Sequence, residues 1–185
     1  MRILLVGSHS VGKTTLMKKM SELGYDTREE VIRKCLAENA KIKINKEADD
    51  ESQQLFFTEI MKSMEGKNFI ADRCPLDILA YTSYQEKHGK ISYSTFKQQY
   101  ESVQKFINDN NDLIFAFIPI EFPLENDGVR DNDEEYRKDI EYEFIRLLKS
   151  FKIDYRIITG TIEERVKKII SIYNEGLCNE SVCTD

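Results

Sequence analysis

"GSHSVGKTT", Gly7 to Thr15, follows the apolar run "ILLV" (3–6) and precedes "LMKKM" (16–20). A strand-like run gives way to a helix-like one through two glycines, a lysine and two threonines. Residues 7–14 fit G-x-x-x-x-G-K-[ST] in the context that gives the pattern meaning, a strand before and a helix after. Glycines let the backbone curl until successive N–H groups point at one anion, and the following helix adds the positive end of its dipole. Lys13 then reaches the β- and γ-phosphates as a point charge, and the Thr14 hydroxyl is placed to ligate Mg²⁺. Ser8, His9, Ser10, Val11, Gly12, Lys13, Thr14 and Thr15 are the candidate ATP-binding residues. The competing reading, a Gly-rich turn with a chance lysine, does not account for both flanks.

Working outward, short apolar runs alternate with amphipathic stretches, the pattern of an α/β domain with a buried parallel sheet. Strands are expected at 3–7, 25–27, 68–73, 112–120 and 154–160. Helices are expected at 13–22, 28–39, 51–64, 76–87 and 95–108, then along the stripe Ile140, Phe144, Leu147, Leu148, Phe151, and finally from Ile162 to Tyr173. The polar segment 39–50 reads as a connecting loop, either a substrate flap or a solvated crossover. One domain spanning 1–173, with residues 174–185 as a flexible tail, is the expected organisation.

Composition bounds the function. Of 185 residues, 41% are hydrophobic and 32% charged, which suits a single globular domain rather than a disordered chain. The opening apolar run is too short for a signal-peptide core or a membrane span, so a cytoplasmic protein without membrane partners is expected. Cys35, Cys74, Cys178 and Cys183 show no zinc or redox spacing and read as free thiols. Net charge is −6, yet residues 121–143 alone carry ten acidic groups against Arg130, Arg137 and Lys138. The remainder is nearly neutral and lacks the field of a general duplex binder. A small anionic ligand held by local donors fits better.

Two further constellations bear on chemistry. "ADRCPLD" closes the third strand, beside the one that carries the phosphate loop, so Asp72 would sit near the metal and Arg73 could meet phosphates bidentately. "REEVIRK" follows the second strand. Glu30 and Arg33 are three apart and share a helix face, at the carboxyl end of the sheet where ligands bind in such folds. Glu30 could accept a proton from an attacking hydroxyl or hold a sugar hydroxyl; a surface ion pair is the plainer alternative. A guanine-reading NKxD segment is not matched by "NDNND" (108–112), which precedes its strand.

"GSHSVGKTTL", "REEVIRK", "DRCPLDILAY" and "DGVRDNDEEYRKDIE" together resemble the small P-loop ATPase/kinase group that includes the kinase domain of nicotinamide riboside kinases, and phage-encoded nucleoside or nucleotide kinases. The resemblance covers about residues 1–172. It implies a three-layer P-loop NTPase fold with a parallel five-stranded sheet in the order 2-3-1-4-5, and a lid at about 121–143. It also implies that Arg130, with Arg137 as second candidate, closes over the phosphates, and that Gly160 and Thr161 lie nearest the adenine.

On this resemblance the host cytoplasm is the expected location if the chain is phage-encoded. "DRC" stands where deoxynucleoside kinases often carry "DRS". The chain has no tryptophan, so Phe56, Phe57, Tyr81 or Tyr84 would have to stack on a base. The expected chemistry is transfer of the γ-phosphate of Mg·ATP to a nucleoside or nucleotide. Lys13, Glu30, Asp72, Arg73 and Arg130 form the catalytic set, Glu30, Arg33 and Arg73 meet the acceptor, and Thr14 and Asp72 hold the metal. A hydroxymethylated pyrimidine in DNA as acceptor, and a nucleotide-sensing ATPase without useful transfer, are the alternatives. The chain alone leaves monomer and homodimer equally open.

Overall fold

The computed structural model describes residues 1–28, 31–38, 42–122 and 133–182, without the side chains of Arg33, Asn45 and residues 177–182. Glu30, Arg130 and the tail residues 183–185 lie outside the described residues. In chain order the elements are β1 (Arg2–Val6), α1 (Lys13–Glu22), β2 (Thr27–Arg28), α2 (Val31–Glu38), α3 (Asp50–Ser63), β3 (Phe69–Asp72), α4 (Pro75–Lys87), α5 (Tyr93–Asn108), β4 (Leu113–Phe117), α6 (Glu134–Ser150), β5 (Tyr155–Ile157) and α7 (Ile162–Val182). A single 3₁₀ turn, Asn45–Glu47, interrupts the segment before α3.

All five strands are parallel, in the order β2-β3-β1-β4-β5. β1 is central because its residues must be apolar on both faces, and they are: Ile3, Leu4, Leu5 and Val6 have no exposed surface. The period of two then divides the core. Ile3 and Leu5 face α1 and α7 through Leu16, Met17, Met20 and Ile169. Leu4 and Val6 face the layer that contributes Phe56, Leu79 and Phe144 from α3, α4 and α6. Each such side chain contributes about 1.5–3 kcal/mol on burial. The central strand is thus held on both faces, and the phosphate loop hangs directly from it.

Register places the chemistry. Leu5 pairs with Asp72 and Val6 with Phe117, so the ends of β3 and β4 lie level with the entry to the loop. Gly7 is required there: its φ is +147°, and a Cβ would collide with the Ile118 carbonyl oxygen.

Three boundaries differ from the sequence expectation. β2 forms at Thr27–Arg28, and Arg28, expected to open the helix, pairs instead with Ala71 of β3. β4 ends at Phe117, before Pro119. The last helix does not stop near Tyr173 but runs to Val182. There Ser171 donates to Glu175 at i+4, and Gly176 packs directly against the Met1 side chain.

Of residues 121–143, the segment expected as a lid, the described part comprises Glu121, Phe122, Asp133 and the first ten residues of α6, whose cap Asp133 accepts from the N–H groups of Glu135 and Tyr136. Not every carboxylate of this acidic stretch is solvated: Glu143 is buried. That residue is 3% exposed and receives Ser83 Oγ at 2.8 Å, Arg146 Nε at 3.0 Å and the Lys87 ammonium. These bonds hold its pKa below the usual carboxylate range although burial pushes the other way. Among the described residues no helix is long and apolar enough to cross a membrane.

Candidate active site

α1 begins without a side-chain cap and without an acidic residue in its first turn, unlike α3 and α6, which are capped by Asp49 and Asp133. Its first-turn N–H groups therefore face the loop without a carboxylate in competition. The loop itself curls through two left-handed positions, Ser10 at φ +56° and Gly12 at φ +89°. That alternation is what gathers successive N–H groups into a concave anion nest. Lys13 folds back across it, its ammonium donating to the carbonyl oxygens of Gly7 at 2.6 Å and Ser8 at 2.8 Å. Ser8 is fully buried and takes part through its backbone, whereas residues 9–15 line a cavity of about 270 Å³.

Asp72 lines the same cavity, beside Thr14. Its Oδ2 accepts from Thr14 Oγ1 at 3.1 Å, while its buried Oδ1 has no partner among the described residues. A hydroxyl and a carboxylate with one uncommitted oxygen are hard-oxygen donors suited to Mg²⁺. The pair Thr14 and Asp72 therefore fits the ion it was expected to hold.

Arg73 follows in the left-handed region at φ +87°, a conformation that disfavours side-chain-bearing residues and clusters at functional sites. Its guanidinium lies 5.9 Å from the centre of the Tyr81 ring. Gly7–Thr15, Asp72 and Arg73 are thus brought together.

Other expected site residues lie differently. Arg33 is on α2, whose Val31, Ile32 and Leu36 wall the cavity. Gly160 and Thr161 form the cap of α7, where the Gly160 N–H donates to Glu121 and the Thr161 N–H to Glu164 Oε2 at 2.8 Å. Arg137 departs most from expectation. It does not reach toward the phosphate side; it is fully buried behind the loop, bonded to the carbonyl oxygens of His9 and Ser10. Of the aromatic residues named for stacking, the core residues Phe56 and Tyr81 also line the cavity, whereas Phe57 is buried in the core away from it and Tyr84 packs against that core, half-buried.

Sequence reasoning missed Gln53 and Asp77. Gln53 is 4% exposed on the cavity wall, fixed by Thr82 Oγ1 on its side-chain oxygen and by Gln99 Nε2 on its backbone oxygen, both at 3.3 Å. Nothing in a polar residue on an amphipathic helix announces that placement. Asp77 did leave a signal, because a Pro at the first helical position with an acid two residues on is half of a capping box. It is fully buried, and its Oδ2 accepts from the Cys74 N–H at 3.0 Å and from the Cys74 thiol at 3.4 Å.

Burial pushes the Asp77 carboxyl up to about 6; Lys13 and Arg73 pull it down and Asp72 adds to the rise. A carboxyl whose pKa is raised on folding favours the native state most below its unfolded value, and that contribution is lost as pH rises through the folded one. Between pH 4 and 7 the wild type should therefore lose roughly 2–3 kcal/mol relative to Asp77→Asn. Paired urea melts at the two pH values measure it, and parallel pH dependence in both proteins would refute it.

A phosphate nest at the end of the central strand, with a carboxylate and an arginine from the end of the neighbouring strand beside it, defines a P-loop nucleoside-triphosphate fold of the kinase type. The chain belongs to the AAA domain family, whose profile matches residues 2–165. Among solved structures it is similar to the NadR protein in complex with NR, at a TM-score of 0.72 and 20% identity over 94% of this chain and 50% of that one. It is also similar to deoxyadenosine kinase from M. mycoides, at 0.67 and 16% over 95% and 99%. Thymidylate kinase from Ehrlichia chaffeensis matches at 0.57 and 19% over 93% and 97%. The chain spans about half the length of the NadR protein it matches. A search of curated proteins gave no match. At these identities the likeness establishes the fold.

Proposed function

We propose that the protein is a phosphotransferase that moves the γ-phosphate of Mg·ATP to a hydroxyl of a nucleoside or to the phosphate of a nucleotide. The observation that carries this is the cavity of about 270 Å³ that opens from the phosphate loop, with Asp72 and Arg73 on its wall. It lies just below the ~300–1,000 Å³ typical of small-molecule sites. Beyond the loop it is lined by Ile32, Leu36, Phe56 and Ile78, the apolar surround a flat ring requires. A mere ATP binder has no need of such a compartment beside the terminal phosphate.

In this reading the loop N–H groups and Lys13 bind the triphosphate, and Arg73 meets the charge that develops on the transferred group. Asp72, or Glu30 outside the described residues, takes the proton of the acceptor hydroxyl as its oxygen bonds to phosphorus and ADP leaves. Mg²⁺ held by Thr14 and Asp72 would neutralise the terminal phosphate oxygens. The relatives bound to NR or nucleotides support the substrate class. DNA as acceptor is disfavoured because Lys43 and Lys46 are paired with Asp49 and Asp133.

ATP consumption is the test, with nucleosides, nucleotides and hydroxymethylated DNA as separate arms. Stimulation by one monomer is expected. Stimulation by the polymer alone, or by nothing, would replace this reading with a DNA-modifying kinase or a nucleotide sensor.

A further inference from the structure

Arg137 and Arg165, which the transfer scheme leaves unused, converge on the back of the phosphate loop. Arg137 of α6 is fully buried and donates from Nε to the His9 carbonyl at 3.2 Å and from Nη2 to the Ser10 carbonyl at 3.0 Å. Arg165 of α7, 2% exposed, donates from Nη1 to the Val11 carbonyl at 2.6 Å. Three consecutive carbonyl groups are thus held from behind by two guanidinium groups.

The same two side chains meet on the dipeptide that leaves β4. Arg137 Nη1 bonds the Phe122 carbonyl at 2.8 Å; Arg165 Nη2 bonds Glu121 Oε2 at 2.6 Å and its guanidinium lies 5.6 Å from the Phe122 ring centre. Arg165 Nε also reaches the Gly160 carbonyl at 2.9 Å.

In a trans peptide the C=O of one residue and the N–H of the next point in opposite directions. Holding the carbonyls of His9, Ser10 and Val11 from behind therefore aims the N–H groups of Ser10, Val11 and Gly12 to the front. Charged donors on those carbonyls also polarise the peptides and strengthen the opposing N–H donors.

Stability alone explains this poorly, since buried guanidinium groups are costly and apolar replacements are often neutral or better. Arg137 answers its charge with neutral carbonyls, its carboxylate contact being Glu134 at 3.4 Å. A positive charge behind an anion nest is useful when the nest is filled.

We propose that Arg137 and Arg165 are positioning residues for the triphosphate, fixing the loop by its outward carbonyls so that its N–H groups meet the phosphates. This rests on the phosphotransferase reading and extends it to two residues that never touch the ligand. It also ties α6, the lid-side helix, to the loop it faces.

The test is calorimetric titration of the full chain and of Arg137→Lys and Arg165→Lys, with Mg·ATP and with tripolyphosphate, which lacks the base. Lysine keeps the charge but not the fork of donors. Each variant should bind both probes at least ~10-fold more weakly, by equal factors, while still unfolding cooperatively. In Arg137→Gly, guanidinium ion below denaturing concentrations should restore part of the loss. Wild-type affinity in the lysine variants, weaker ATP binding with tripolyphosphate unaffected, or failure of both variants to fold would overturn the proposal in favour of a structural role. Absence of ATP binding by the wild type would instead sink the phosphotransferase reading itself, and this proposal with it.

Discussion

Lys13→Ala should lose about 10³-fold or more in turnover and still fold. The ammonium is the one side-chain cation that α1 delivers into the nest, and preorganised charge aimed at a reacting phosphate is worth about 10²–10³ per donor even without full charge. Its loss also frees the carbonyls of Gly7 and Ser8, which now accept from it at 2.6 and 2.8 Å. That costs about 1–3 kcal/mol of stability, too little to unfold a sheet whose central strand is wholly buried. Circular dichroism and a thermal melt establish the fold, and initial rates of ADP release give the turnover. Normal turnover in a folded variant would remove Lys13 from the chemistry.

Asp72→Asn is expected to be nearly as damaging for a different reason. Asparagine preserves an oxygen for the Thr14 hydroxyl, now 3.1 Å from Oδ2, so the contact between β3 and α1 survives. What disappears is the negative charge and with it the second anionic oxygen, the buried one that has no partner among the described residues. Turnover should fall by about 10²–10³, and the Mg²⁺ concentration for half-maximal rate should rise. A Mg²⁺ titration of both proteins at saturating ATP separates the two effects. Equal half-saturation in wild type and variant would show that Asp72 does not hold the ion.

How much of this was legible beforehand depended on how local the determinant is. The loop was readable because its glycines, lysine and threonine act within eight residues, and "ILLV" fixed the central strand by being apolar on both faces. β2 was readable only in outline, since two residues that pair with Ile70 and Ala71 carry no period. Asp72 and Arg73 were found because they end a recognisable strand.

Arg137 and Arg165 could not be placed this way. Their partners lie 127 and 154 positions away, and on a helix an arginine that braces a loop has the same spacing as one that faces water. The same holds for Glu143, whose burial is decided by Ser83 and Lys87 of another helix. A charge count does not single it out, because composition records how many carboxylates there are and not which of them find donors.

The central claim is that main-chain amides of residues 8–14, with Lys13, grip a polyphosphate. Titrating Mg·ATP into the folded chain measures it directly. The account predicts one-site binding that weakens when magnesium is chelated and is largely lost in Lys13→Ala. A folded wild-type chain that takes up no purine triphosphate, with or without magnesium, would contradict it.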